Sequence, residues 1–140
     1  MGFLIDSSVL IAAERGSISL EAMLTGDLEQ QPLAIAAITA SELLHGVYRA
    51  ADQGRAQKRQ QFVDHILSLL LVTPFDLDAA RVHARLWADL ASQGTLIGAH
   101  DLLIAATAVS IGYGVITMNA REFSRIAGLP LIRPLDSDRP

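Results

Sequence analysis

The chain has 140 residues, a formal net charge of −4, four histidines and no cysteine. A chain of this length is one domain able to bury a core. The lack of cysteine excludes a disulfide framework and a thiolate zinc site and makes a reducing, cytoplasmic compartment the default expectation. Hydrophobic residues make up 51% and the mean hydropathy is +0.34, high for a soluble monomer, so some apolar surface is expected to meet a partner.

Gly2-Phe3-Leu4-Ile5 is a short apolar run suited to a buried strand; Asp6 ends it, and Val9-Leu10-Ile11 resume as a helix face. No basic stretch precedes this run and Asp6 cuts it short, so neither a signal peptide nor a myristoylation signal is expected. Leu33 to Ile38 predicts a second strand, followed by Thr39-Ala40-Ser41-Glu42 and a helix over Ser41 to Ala51. After a break at Asp52-Gln53-Gly54, a second helix turned back on the first runs from Arg55 to Leu70, with Phe62, Val63, Ile66, Leu67 and Leu70 at helical spacing. Leu71 to Phe75 is a further short strand, and Asp76 to Ser92 an amphipathic helix with Val82, Leu86 and Leu90 on one line, ended by Gly94. Asp101 opens the next helix. Gly112-Tyr113-Gly114 divides it from a strand over Gly114 to Met118, so the apolar stretch Leu102 to Met118 is core and not a membrane span. Asn119 ends that strand and leads into Ala120-Arg121-Glu122-Phe123; Leu131-Ile132 adds an edge strand, and Asp136 to Pro140 a frayed tail. Without a repeat or a boundary, residues 1–140 form a single α/β domain.

Asp6, Glu42, Asp101 and Asn119 each sit where an apolar run gives way to a polar turn or a helix start. Parallel strands joined by helices put their carboxyl ends on one edge, where open α/β sheets bind ligands, so these distant residues are expected to meet. Helix capping accounts for each one singly. Thr39-x-x-Glu42 fits a capping box, Asn119-x-x-Glu122 resembles one, Asp101 suits a helix N-terminus, and Ser7 and Ser8 are available as caps beside Asp6. Capping does not exclude ligation. Converging carboxylates raise one another's pKa unless a cation intervenes. An all-oxygen donor set favours Mg²⁺ or Mn²⁺ over zinc and suits phosphate chemistry.

Other chemistries lack their residues. His45, His65, His83 and His100 form no H-E-x-x-H, there is no Gly-Lys-Ser/Thr loop, the sole lysine, Lys58, is misplaced for a receiver domain, and Asp6-Ser7-Ser8 is not the Asp-x-Asp of a dehalogenase-type phosphatase. His100 is expected as a helix-start residue and Trp87 as core or interface. The negative net charge argues against a broad electrostatic grip on nucleic acid. Local contacts would fall to Arg15, Arg49, Arg55, Lys58, Arg59, Arg121 and Arg125, with Arg121 favoured for its closeness to Asn119.

Four blocks, Asp6-Ser7-Ser8-Val9-Leu10-Ile11, Thr39 to Gly46, Asp101 to Ala108 and Thr117-Met118-Asn119-Ala120-Arg121-Glu122-Phe123, with Gly98 ahead of Asp101, resemble the motifs of PIN domains in order along nearly the whole chain. With the chain's size, they point to the VapC toxins of toxin–antitoxin pairs. The resemblance implies a flavodoxin-like three-layer α/β/α sandwich around a central parallel sheet. It also implies Mg²⁺- or Mn²⁺-dependent endonucleolytic cleavage of RNA by metal-activated water, leaving a 5′-phosphate and a 3′-hydroxyl. By that match Asp6, Glu42 and Asp101 are the metal-binding and catalytic acids, Ser8 is a small polar residue near the metal, and Thr117 and Asn119 lie at the fourth motif. Asn119 departs from the family, many of whose members have Asp there. An amide oxygen can ligate but brings no charge, so one ion is expected, and a second would need Glu122 or the substrate phosphate. The resemblance further implies a homodimer held by helices and a small VapB-like antitoxin seated in an apolar groove, for which the Arg55 to Ser92 helical pair is a candidate. The alternative is a PIN module that binds RNA or a protein without cutting.

Overall fold

A computed structural model describes residues 1–134 apart from 27 and 29; the expected Asp136 to Pro140 tail lies outside the described residues. The elements in order are β1 (Phe3–Ile5), α1 (Ser7–Glu14), α2 (Leu20–Thr25), β2 (Leu33–Ala36), α3 (Ala37–Tyr48), α4 (Gln53–Leu69), β3 (Leu71–Thr73), α5 (Leu77–Ser92), α6 (Ala99–Ser110), β4 (Gly114–Ile116), α7 (Ala120–Phe123) and β5 (Leu131–Ile132). All strand pairs are parallel, and the sheet order is β3-β2-β1-β4-β5. The chain steps outward from β1 to β3, then returns to place β4 on the other side of β1. This differs from the 2-1-3-4-5 order of a flavodoxin-like sheet and makes the β1/β4 boundary the switch point.

Side-chain alternation along each strand sorts the core into two layers. Phe3, Ile5, Ile35 and Ile116 pack with Val9, Leu10, Leu43, Val63 and Ile66 of α1, α3 and α4. Leu4, Ala34, Ala36 and Val115 face Leu90, Leu102, Ile104, Ala105 and Phe123 of α5, α6 and α7. The three-layer α/β/α sandwich follows. The stretch Leu102 to Met118 contributes buried residues of α6 and β4 to this core, and among the described residues no helix is long and apolar enough to cross a membrane.

Some expectations change. β2 stops at Ala36 and α3 starts at Ala37, ahead of the expected Ser41, so the apolar run Leu33 to Ile38 spans a strand end and a first helical turn. Continuous apolarity hides that boundary. Thr39 is therefore inside the helix, its buried hydroxyl has no partner, and no Thr39/Glu42 capping box forms. The Arg55 to Ser92 region is not a helical pair: α4 packs on α3 in one layer and α5 on α6 in the other, with β3 between them in sequence. Asp52 and Asp76 cap α4 and α5, accepting from Arg55 N at 2.8 Å and Ala79 N at 2.9 Å. The short α2, capped by Ser19, was not expected from the sequence. Trp87 is 62% exposed and so is not core.

Candidate active site

Asp6 follows β1 directly and its side chain is buried at the switch point, where its backbone N–H donates to Ile116 O at 2.9 Å. Its Oδ2 accepts from Ser8 Oγ at 2.7 Å and Thr117 Oγ1 at 2.8 Å. Each hydroxyl in turn accepts a backbone N–H just beyond β4, from Met118 to Ser8 at 3.0 Å and from Asn119 to Thr117 at 2.9 Å. The backbone thereby aims both hydroxyl protons at the carboxylate. Asp6 makes no side-chain cap for α1.

Glu42 projects from the second turn of α3. Its Oε2 accepts from Ser7 Oγ at 3.4 Å and lies 3.6 Å from His100 Nδ1. Its Oε1 is buried without a hydrogen-bond partner. Burial pushes the carboxyl above its ordinary range, His100 opposes the rise, and the charge of Asp6 adds to it. Glu42 and His100 help line a cleft of about 290 Å³ whose walls include Arg15, Arg49 and Arg59. Arg59 is already engaged, donating to Gly46 O at 2.9 Å and lying 3.5 Å from Glu14.

Asp101 occupies the first turn of α6, after Gly98 as N-cap. Burial, reinforced by the charges of Asp6 and Glu122, pushes it up to about 7. Asn119 Nδ2 donates to Asp101 Oδ2 at 3.2 Å and to Glu122 Oε2 at 2.7 Å, and Gly98 N–H donates to Glu122 Oε1. The bonds from Gly98 and Asn119 hold Glu122 below its usual range. Asn119 makes no side-chain cap bond to α7, so the expected capping box is replaced by an amide bridging two acids.

The structure thus brings Glu42 and Asp101 each within electrostatic reach of Asp6, with Ser8 and Thr117 bonded to Asp6 and Asn119 bonded to both Asp101 and Glu122. Among the described residues no trio of acidic or imidazole groups already stands in ion-holding geometry. The donor chemistry nevertheless fits a hard divalent cation. The set is all oxygen, Glu42 Oε1 is orphaned in a buried position, and Glu42 and Asp101 are both pushed toward protonation by burial and by the charge of Asp6.

Arg121 is exposed on α7 and pairs with no acid among the described residues. Sequence reasoning missed the role of His100 and Ser7 at Glu42. It also missed Arg133, which follows β5 and donates to Met118 O at 2.8 Å. Strand-end logic applied to Leu131-Ile132 would have found Arg133; nothing local pairs His100 with Glu42.

The PIN domain family matches residues 3–129. The chain is 36% identical over 138 residues to Ribonuclease VapC1 of Rickettsia felis, covering 99% of this chain and 100% of that relative. It is also 36% identical over 104 residues to the tRNA(fMet)-specific endonuclease VapC of Salmonella typhimurium, covering 74% and 76%. Among solved structures, VapBC2 from Rickettsia felis bound to a DNA fragment from its promoter superposes with a TM-score of 0.85 at 26% identity over 95% of this chain and 98% of that one. DNA-bound VapBC from Salmonella typhimurium gives 0.84 at 28% identity with the same coverage, 95% and 98%. The match along the chain, the parallel sheet and the acids at its switch point agree: this chain belongs to the PIN-domain family, among the VapC ribonucleases.

Proposed function

We propose that this chain is a Mg²⁺- or Mn²⁺-dependent endoribonuclease and the toxin of a cytoplasmic toxin–antitoxin pair. The observation that carries this is the approach of Glu42, from the second turn of α3, and of Asp101, from the start of α6, to Asp6 at the end of β1, in a chain whose relatives are named ribonucleases. These three acids would hold the ion. When bound, the ion would supply Lewis-acid activation of water and offset charge developing on the phosphoryl oxygens. The chain's own part is orientation. Ser8 and Thr117 fix Asp6 through Oδ2, Ser7 and His100 approach Glu42 at Oε2 and leave Oε1 unbonded, and Asn119 steadies Asp101. Hydrolysis would leave a 5′-phosphate and a 3′-hydroxyl.

The same proposal includes a small VapB-like antitoxin, supported by the likeness to VapBC complexes. It also includes a homodimer. Trp87 and Leu96, 62% and 82% exposed, flank an apolar cleft of about 390 Å³ between α5 and α6, a surface suited to a second copy.

The test is cleavage of RNA by the purified protein with Mg²⁺ or Mn²⁺, with EDTA, and beside Asp6→Ala. Cleavage lost in EDTA and in the variant is expected; cleavage that survives either refutes the metal-site reading. Binding of RNA by the wild type without any cleavage would favour the non-cutting module.

A further inference from the structure

We infer that the side-chain amide of Asn119 takes the place of a second cation, so that this chain binds one divalent ion and uses Asn119 with Glu122 as a clamp on Asp101. The inference rests on the metal reading proposed above and deepens it. Asp101 Oδ2 and Glu122 Oε2 both face Asn119 Nδ2, at 3.2 Å and 2.7 Å. Two carboxylates set around one point repel each other unless a cation, a shared proton or N–H donors stand between them. A primary amide carries two N–H groups, one for each acid. The opposite amide orientation would press Oδ1 against the same carboxylates, so the charges decide which atom faces them.

Glu122 is in turn not waiting for a ligand. Its Oε2 accepts from Asn119 and its Oε1 from the backbone N–H of Gly98. Gly98 permits the approach, since a Cβ there would stand 3.0 Å from Glu122 Oε1. The chain Gly98–Glu122–Asn119–Asp101 therefore ties the start of α6 to α7 and fixes the direction of Asp101. A second ion would have to displace both amide bonds and would gain only a carboxylate whose two oxygens are already engaged. Glu122 is accordingly a positioning residue, and the carboxylates left for an ion are Asp6, Glu42 and Asp101.

Calorimetric Mn²⁺ titration, checked by counting free Mn²⁺ by electron paramagnetic resonance, tests this. The wild type should bind one Mn²⁺ per chain. Asn119→Asp, which exchanges the amide donors for a charge, should bind two. Glu122→Ala should keep a stoichiometry of one while affinity falls about tenfold, the scale of losing a group that orients a metal ligand. Two ions in the wild type, or one in a folded Asn119→Asp protein, would overturn the inference. No ion at all in the wild type would overturn the metal reading beneath it. Wild-type stoichiometry needs no variant, so misfolding of Asn119→Asp leaves a decisive measurement in place.

Discussion

Replacing Asp101 by Asn should stabilise the metal-free protein above neutral pH and do little at acid pH. Asp101 is raised in the folded protein from 3.8 to about 7, first by burial and then by Asp6 and Glu122. Between those values the folded chain holds a proton that the unfolded chain has released, so stability falls as pH rises through this window and the penalty is complete above it. A shift of about three units corresponds to about 4 kcal/mol at full value. Asp101 is only partly buried, and solvent screening reduces this to about 1–2 kcal/mol. Asn keeps an oxygen to accept from Asn119 and carries no charge to penalise. With a urea dependence of about 2 kcal/mol per molar, the unfolding midpoint in EDTA should rise by about 0.5–1 M at pH 8 and hardly move at pH 4.5. Cleavage should be abolished in the same protein. Equal midpoints at pH 8, or a larger gain at pH 4.5 than at pH 8, would refute the account of repelling acids.

Thr117→Val should lower stability by about 1–3 kcal/mol in thermal or urea melts, because Asn119 N–H loses its acceptor and Asp6 a donor in a buried place; an unchanged melt would show that these bonds contribute nothing. His100→Ala removes the group that opposes the rise of Glu42, so the carboxyl climbs further and Mn²⁺ affinity should drop more at pH 6 than at pH 8. An equal drop at both pH values by calorimetry would detach His100 from Glu42. Trp87→Glu together with Leu96→Glu should shift a dimer to monomer by light scattering while leaving stability within about 0.5 kcal/mol, since both side chains are exposed; a persistent dimer would move the interface elsewhere.

The acids were legible because each sits where an apolar run meets a polar turn or a helix start, and a parallel sheet joined by helices gathers such places on one edge. Asp6, Asp101 and Asn119 needed only that logic and the order of the motifs. Glu42 was located for a partly wrong reason: it was expected at a helix start, whereas α3 begins at Ala37 and Glu42 projects from its second turn. The boundary was invisible because Leu33 to Ile38 is apolar on both sides of it. The bridging role of Asn119 was also hidden. A capping box and a clamp between two acids share the spacing Asn119-x-x-Glu122, and only the approach of Asp101 and Gly98 from α6 separates them. Likewise, periodicity placed Ile66 and Leu90 on apolar helix faces but could not say that α4 and α5 cover opposite faces of the sheet, because sheet order is a property of the whole chain.

The bond from Thr117 to Asp6 joins residues 111 apart in sequence. β1 is made well before β4 on the ribosome, yet they are neighbours in the sheet. Until β4 docks, Asp6 lacks Thr117 and the backbone groups that aim its hydroxyl partners, and neither Asn119 nor Glu122 has reached Asp101. A nascent chain, or a fragment clipped before β4, therefore carries all three acids without the scaffold that arms them. The order of strands thus couples the arming of the site to the closing of the sheet: the bonds that fix Asp6 and Asp101 exist only once β4 lies beside β1.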